Sequence, residues 1–352
     1  MKYILIVSVF FLLATKGGYA QDYNAEIKAA AVSILDSMTD MQKKRVSYDI
    51  NDSARVKWNN LPVGLRARAG VNIGSMSEGQ RIQLHRLISV SLSSQGYLKA
   101  TGIFHLDDLL NLMYDTLKGR GQVDEKTYGF LMDLKWSHKN FYLAFFGDPR
   151  NDKVWGYKLE GHHLSLNFSF VNDKLSITPF FIGTDPAEYR ILDYAGWRVL
   201  GQEEDLGIKL VNSLSDGLRK KATMDTAVPG DIITAAESGK RLINYWGVKG
   251  SEMTEQQRKL LGLIIREYVF NFEWDKANQE YDKIIKAGLA NVYFGWIGSY
   301  KEADSHYYLL NGPTFLIEFD NRGNHIHTIW REKGNEYGED LLKKHYETTP
   351  HK

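Results

Sequence analysis

The sequence predicts an α+β fold in which a mainly antiparallel sheet has flanking helices and a helical N-terminal portion. Residues 22–125 carry apolar side chains at helical spacing. From residue 127 the spacing changes to the alternation of β-strands, over 141–183 and again over 292–332. Helical spacing returns between these two sets of strands. We therefore expect one large sheet with helices packed against it.

The helices are predicted from capping residues and apolar stripes. Ser77 and Gln80 fit a capping box, in which each side chain bonds the other residue's backbone, and an apolar stripe follows. Thr254 and Gln257 fit a second capping box before the run LLGLII. Residues 203–222 carry leucines and valine on one stripe, which indicates a further helix.

Two sets of four short strands are predicted from alternating side chains and turn residues. The first set reads FYLAFFGDP, KVWGYKLEG, HHLSLNFSFVND and KLSITPFFIG. The second set reads VYFGWIGS, HYYLLNG, TFLIEFDN and HIHTIWRE. Asp-Pro and Asn-Asp dipeptides mark the turns of the first set. Short turns between consecutive strands are typical of a meander, so the sheet is expected to be antiparallel.

The first twenty residues are predicted to be a cleavable secretion signal. Lys2 precedes the apolar run of residues 4–14, and Gly18-Tyr19-Ala20 places small residues at positions −3 and −1 of a cleavage site. This run of eleven residues, ten of them apolar, is too short to span a bilayer, which needs about 20. An uncleaved membrane anchor is the alternative. We expect a periplasmic or secreted protein without stable membrane insertion, in which residues 21–352 form a single globular domain.

Charge and cysteine content argue against several classes of function. Removal of residues 1–20 would leave 42 basic and 43 acidic residues, which gives no electrostatic reason to bind nucleic acid or an anionic membrane. The chain has no Cys, so it offers no thiolate as nucleophile or metal ligand. No phosphate-binding loop and no Gly-x-Ser-x-Gly elbow occurs, so nucleotide, nicotinamide and flavin chemistry are unsupported.

Seven blocks of sequence carry a family resemblance. They are GHHLSLNFS (161–169), TPFFIGTDPAEY (178–189), AGWRVLGQEED (195–205), YYLLNGPTFLIEFDN (307–321), HIHTIWRE (325–332), YGEDLL (337–342) and HY (345–346). Their order and spacing resemble the bacterial family catalogued as domain of unknown function 3500. One departure is Arg331-Glu332, where family members often have Arg-Asp. The resemblance implies an exported or secreted protein of one domain and supplies no activity.

The C-terminal hairpin is predicted to place two imidazoles beside two carboxylates. His325 and His327 stand at i and i+2 of a strand, so both side chains leave the same face. If Arg322-Gly323 is a two-residue loop, Asp320 faces His325 and Glu318 faces His327. Both His and Asp320 are then candidate metal ligands. Glu318 is a candidate catalytic base or an acceptor that fixes a His tautomer, and the alternative is a solvated face with cross-strand ion pairs.

His163 is the third candidate imidazole ligand. If GHHLSLNFSF is a strand, His163 shares its face with the polar residues Ser165 and Asn167. His162 then shares the opposite face with Leu164 and is assigned a buried, hydrogen-bonded structural role. The alternative for His163 is an exposed polar face without a function.

Glu204 and Arg331 are further catalytic candidates. Glu204 belongs to an acidic run at the start of a predicted helix, which the helix dipole alone explains. The functional alternative is that Glu204 reaches the site as general base or ligand. Arg331 lies beyond the two His on their face and is a candidate to hold an anionic substrate group, with a surface ion pair as its alternative.

Together these residues predict an exported metal-dependent enzyme. Imidazole and carboxylate ligands suit zinc, while copper and iron also accept imidazole. Hydrolysis of a small-molecule or saccharide-like substrate is favoured over oxidation, because export suits ester or polymer breakdown. The alternatives are a non-catalytic periplasmic binding or metal-carrying protein and a carbohydrate-binding module. Such a module would use the aromatic residues of the last strands, which are Tyr293, Trp296, Tyr300, Tyr307 and Tyr308.

We predict that the exported protein begins at Gln21, because Ala20 is the small residue that signal peptidases require at position −1. Intact-mass spectrometry of the exported protein should give the mass of residues 21–352. Ala20→Lys removes the small side chain and should prevent this cleavage. A wild-type mass that still includes residues 1–20 would contradict the prediction.

Overall fold

The computed structural model describes residues 23–172, 174–236, 238, 240–302 and 304–348. The predicted signal and the predicted N-terminus at Gln21 lie outside these residues. Within the described part of the chain, no helix is both long enough and apolar enough to cross a membrane.

Ten α-helices occur in the described residues. They are α1 (Tyr23–Ser37), α2 (Asp40–Val46), α3 (Glu78–Ser91), α4 (Ser94–Gly119), α5 (Glu125–Asp133), α6 (Gly201–Ser213), α7 (Asp216–Ala222), α8 (Glu255–Val269), α9 (Trp274–Ala287) and α10 (Glu339–Thr348). The capping boxes at Ser77 and Thr254 are present and begin α3 and α8. The helix predicted over 203–222 is instead two helices, because Ser215 caps the backbone of Leu218 and begins α7.

Twelve strands of the described chain form one sheet. They are β1 (Ser47–Tyr48), β2 (Val71–Asn72), β3 (Tyr142–Phe146), β4 (Val154–Gly161), β5 (Leu164–Val171), β6 (Lys174–Thr184), β7 (Thr223–Asp225), β8 (Val248–Lys249), β9 (Tyr293–Gly298), β10 (His306–Asn311), β11 (Phe315–Asn321) and β12 (Ile326–Glu332). The order is β1-β3-β4-β5-β6-β12-β11-β10-β9-β7, with β2 paired to β3 and β8 to β9. Only β1–β3 and β7–β9 are parallel pairs. The predicted α+β class with a mainly antiparallel sheet is confirmed.

The same succession of elements occurs twice along the chain. Residues 23–184 contain two helices, a short strand, an irregular connection, a second short strand, further helices and a four-stranded meander, and residues 201–332 repeat this series. In each half the first short strand runs parallel to the first meander strand, and the second runs antiparallel to it. The helix α5 occurs only in the first half. The two halves meet where β6 pairs with β12.

Equivalent side chains make equivalent contacts in the two halves. Gln80 Nε2 donates to the carbonyl of Ser37, the last residue of α1, at 2.8 Å. Gln257 Nε2 donates to the carbonyl of Ser213, the last residue of α6, at 2.7 Å. The repeat is visible in the sequence as the similar runs MSEGQR at 76–81 and MTEQQR at 253–258. We did not identify this repeat from the sequence.

The helices of both halves pack on one face of the sheet and form a common apolar core with it, which includes Leu143, Phe168 and Trp330. The opposite face carries buried polar side chains and is covered by the two equivalent irregular connections. We name residues 49–70 the first covering segment and the described residues of 226–247, which are 226–236, 238 and 240–247, the second covering segment. Trp58 of the first packs on Phe181, and Ile232 of the second joins the same cluster.

Gly70→Ala and Gly247→Ala should each lower the free energy of unfolding by at least about 2 kcal/mol, because both positions combine strain with a clash. Gly70 has φ +104° and Gly247 has φ +96°. A Cβ would lie 2.2 Å from the carbonyl oxygen of Leu143 and 2.1 Å from that of Phe294, respectively. Urea denaturation measures the effect. Gly119→Ala, where a Cβ meets nothing within 4 Å, is the matched control, and equal stability of all three variants would contradict the prediction.

Candidate metal centre

Three imidazoles converge where the β4–β5 turn meets the start of β12. Nε2 of His325 lies 2.7 Å from Nε2 of His163 and 3.0 Å from Nε2 of His327. Ligand atoms of all three rings lie within 4.8 Å of one another. His163 and His327 are buried, whereas the side chain of His325 is 32% exposed. The structure thus brings together the three His that the sequence suggested as ligands, and the group faces solvent at His325.

His163 reaches this point from a turn and not from a strand. The pair Gly161–Leu164 closes the β4–β5 hairpin, so His162 and His163 are its two turn residues. The backbone of His163 adopts φ +58°, as tight turns require. The predicted strand faces were therefore wrong for both residues. His162 is nonetheless buried, and its Nδ1 lies 2.6 Å from Asp107 Oδ1.

The C-terminal hairpin has a four-residue turn, and the predicted two-residue loop was wrong. Asn321 pairs with Ile326, which leaves Arg322 to His325 in the turn. The side chain of Asn321 stabilises this longer turn, because its Oδ1 accepts the backbone N–H of His325 at 3.3 Å. The backbone N–H of Arg322 also donates to the carbonyl of His325 at 2.9 Å. His325 therefore lies immediately before β12.

The longer turn shifts the strand pairing by two residues. Asp320 faces His327 and Glu318 faces Ile329, whereas the shorter loop would have placed them opposite His325 and His327. Because side chains alternate with a period of two, this shift leaves every residue on its predicted face. The predicted face was right and the predicted pairs were wrong.

Asp231 and Gly183 position His327. Asp231 Oδ1 lies 2.7 Å from Nδ1 of His327, so the ring proton resides on Nδ1 and Nε2 presents its lone pair. A Cβ on Gly183 would lie 2.6 Å from the carbonyl oxygen of Ile326 and 3.1 Å from Cδ2 of both His163 and His327. A larger residue at this position would therefore displace the backbone of Ile326 and crowd both imidazoles. Sequence analysis missed both residues. Gly183 lay inside a family block, whereas Asp231 lies in a segment without periodicity.

Two of the imidazoles, those of His163 and His325, have pKa values that favour the neutral form. Burial is the main cause for His325, and together with the neighbouring His327, His162 and Arg322 it lowers the pKa of His325 to about 2. Burial and the neighbouring imidazoles lower the pKa of His163 well below its ordinary value. A metal ion needs an unprotonated ring nitrogen, so the lowered pKa values of His163 and His325 are compatible with a metal site.

Asp320, the predicted carboxylate ligand, lies beside His327 but outside the group of three Nε2 atoms. Its Oδ1 accepts the backbone N–H of His327 at 3.1 Å, and its Oδ2 has no hydrogen-bond partner among the described residues. Burial raises the pKa of Asp320 to about 6. Asp320 instead belongs to a second group of potential ligand atoms, together with Asp231 and His327.

Glu318 and Arg331, two predicted catalytic residues, bind the second covering segment. The buried carboxylate of Glu318 accepts the backbone N–H of Ile233 at 2.6 Å and that of Thr234 at 3.2 Å. Arg331 Nε donates to Thr234 Oγ1 at 2.9 Å, and Nη2 donates to the Thr234 carbonyl at 2.6 Å. Both residues therefore anchor the segment that carries Asp231, and their polar groups are already engaged.

Glu204, the third predicted catalytic residue, is linked to the site through Asn321. Its carboxylate pairs with Arg198 at 2.8 Å and accepts Nδ2 of Asn321 at 2.6 Å. Asn321 in turn accepts the backbone N–H of His325. Glu204 thus positions the turn that carries His325.

The aromatic residues of the last strands lie mainly inside the protein. Trp296, Tyr307 and Tyr308 are fully buried, and only Tyr293 and Tyr300 of the predicted group are partly exposed. This arrangement gives little support to a carbohydrate-stacking platform, because stacking requires exposed rings.

A family model described as Protein of unknown function (DUF3500) matches residues 20–339 of the chain. No curated protein and no solved structure matches the chain. The matched range contains the three converging imidazoles, both covering segments and every residue that positions the group.

Proposed function

Because the chain belongs to the DUF3500 family, whose description assigns no activity, we propose its function from its own side chains: an exported, metal-dependent hydrolase. The observation that carries the proposal is the convergence of ligand atoms of His163, His325 and His327 within 4.8 Å. The absence of Cys leaves imidazole and carboxylate as the ligands for a transition metal.

The donor set fits a zinc ion. Zinc–nitrogen bonds of about 2.0–2.1 Å place two nitrogens of a tetrahedral site roughly 3.3 Å apart. His325 Nε2 lies 2.7 Å from His163 Nε2 and 3.0 Å from His327 Nε2. The nitrogens of these two pairs would therefore need to separate by only about half an ångström to receive the ion. Copper and iron, which also accept imidazole, remain alternatives to zinc in this proposal.

Two carboxylates near the imidazoles support the same proposal. Asp231 accepts a hydrogen bond from Nδ1 of His327, an arrangement that fixes the tautomer of a metal-binding imidazole. Asp185 Oδ2 lies 4.0 Å from Nδ1 of His325. The chain around Asp185 is tied to the turn of His325, because the backbone N–H of Glu188 donates to Asn324 Oδ1 at 2.8 Å.

Asp185 is the proton-transfer group of the proposed reaction. Its side chain is 27% exposed, and burial raises its pKa from the ordinary value, which suits acid–base catalysis. A bound zinc ion would acidify water and polarise a substrate carbonyl. Asp185 takes a proton from the attacking water while the water oxygen bonds to the acyl carbon. When the bond to the leaving group breaks, Asp185 returns that proton to the departing alcohol or amine.

A non-catalytic metal carrier is the second candidate function. The burial of His163 and His327 favours it, because enclosed ligands retain an ion well. A carrier needs the same three imidazoles, but it has no use for a proton-transfer group. Substitution of residues outside the three candidate ligands therefore distinguishes the hydrolase from the carrier.

We predict that His163→Ala, His325→Ala and His327→Ala each abolish stoichiometric zinc binding, since each removes one imidazole ligand. Elemental analysis of untagged, zinc-reconstituted protein measures the content. Asp231→Asn should keep the site and weaken zinc affinity about 10- to 100-fold. His105→Ala, at an exposed position of α4, is the matched control and should bind zinc like the wild type. Undiminished zinc in the three ligand variants would overturn the proposal.

Asp185→Asn should leave the zinc content unchanged and lower the hydrolysis of p-nitrophenyl acetate at least about 100-fold, because the uncharged amide cannot accept a proton. The comparison requires wild-type protein that hydrolyses this ester in a zinc-dependent way. Asp193→Asn is the control, since Asp193 is an exposed residue of the same connection. Full zinc content without zinc-dependent hydrolysis in the wild type would favour the carrier.

A further inference from the structure

Arg322 is a partly buried cation in the same turn as His325. Its side chain is 32% exposed, and Nε lies 3.6 Å from Asp320 Oδ2, too far for a hydrogen bond. Nε is buried without a hydrogen-bond partner, and the guanidinium donates no hydrogen bond to any described residue. An arginine has five N–H donors in a rigid fork, so this guanidinium presents unused donors beside the imidazoles.

Two contacts of Arg322 place it near the imidazoles, and its electrostatic effect on them agrees. The backbone of Arg322 binds His325 across the turn at 2.9 Å. Its side chain approaches Asp320, whose backbone partner on β12 is His327. Its charge also contributes to the low pKa of His163 and His325. The guanidinium therefore lies next to the candidate metal centre.

Arg331, the residue that the sequence suggested for an anionic substrate, differs from Arg322 in this respect. Arg331 is buried, and its nitrogens are bonded to Thr234 and Glu336. Those donors already have partners, so binding a ligand would require breaking internal hydrogen bonds. Binding of an anionic substrate group, the role predicted for Arg331, therefore suits Arg322 better. The donors of Arg322 can bind an anion without first breaking a hydrogen bond.

We propose that Arg322 and the three imidazoles form a two-point site for a substrate that carries an oxyanion, either a carboxylate or a phosphate. This inference rests on the proposed metal centre and names its substrate class. The planar fork of Arg322 holds two oxygens of the anion in a bidentate manner. Asp320 keeps the guanidinium at the turn by charge attraction without occupying its donors. The neighbouring bond of the substrate then lies beside the imidazoles.

The test measures oxyanion affinity by isothermal titration of the full mature chain, with and without zinc. Inorganic phosphate and acetate are titrated separately, and the tighter of the two identifies the preferred oxyanion. Imidazole serves as a neutral probe that reports on the metal alone. Arg322→Gln should weaken oxyanion binding roughly 10- to 100-fold while zinc content, thermal stability and imidazole affinity stay at wild-type values.

Two further variants sharpen the result. Arg322→Lys keeps the charge but loses the fork, so it should bind the oxyanion with intermediate affinity. Arg190→Gln is the matched control, because Arg190 is 60% exposed and, among the described residues, its side chain bonds Glu188 alone, at 3.0 Å. It should bind like the wild type.

Wild-type oxyanion affinity in Arg322→Gln, or an equal loss in Arg190→Gln, would overturn the inference while leaving the metal centre intact. Absence of zinc binding would overturn the proposed function instead. In that case the zinc-free titrations decide on Arg322: oxyanion affinity that depends on Arg322 supports the inference, and affinity that does not depend on it refutes the inference.

Discussion

The antiparallel pairing of β6 with β12 is the contact on which the rest of the structure depends. It joins the two halves into one sheet and lets a single apolar core extend beneath both. The same pairing sets Gly183 opposite His327. It also brings His163, which belongs to the first half, against His325 of the second half. The group of imidazoles therefore exists only at the junction of the halves, since neither half contains it alone.

The two halves share an architecture without sharing a site. The turn equivalent to that of His325 lies between β5 and β6, and there Asn172 Nδ2 lies 2.8 Å from Nδ1 of His345. Ser176 Oγ on β6 donates to the carbonyl of Asn335 at 2.9 Å. The C-terminal segment thus covers the equivalent position. The connection equivalent to the His163 turn is Gly312-Pro313-Thr314, which offers no imidazole.

The buried carboxylates show why the role of a side chain was harder to predict than its position. The sequence placed Glu318 on the face of His327, and the structure agrees, because alternation along a strand fixes the face. A buried charge must find partners, however, and those of Glu318 are backbone N–H groups of the second covering segment. Glu204 likewise binds Asn321 and acts through the turn. No local pattern identifies such partners.

The sequence by itself determined the α+β class, the capping boxes and the face that Glu318, Asp320 and His327 share, because periodicity and capping depend on residues close together in the chain. The tertiary structure decided the rest. Turn length depended on the side chain of Asn321, which shifted the strand pairing by two residues. Asp231 contacts His327 although the two are 96 residues apart in the sequence. Gly183 contacts His327 from the neighbouring strand of the sheet. Asp231 belongs to the same half as His327 and Gly183 to the other half, and both contacts form only when the chain folds. The three His were therefore candidates in the sequence, whereas the residues that surround them were not.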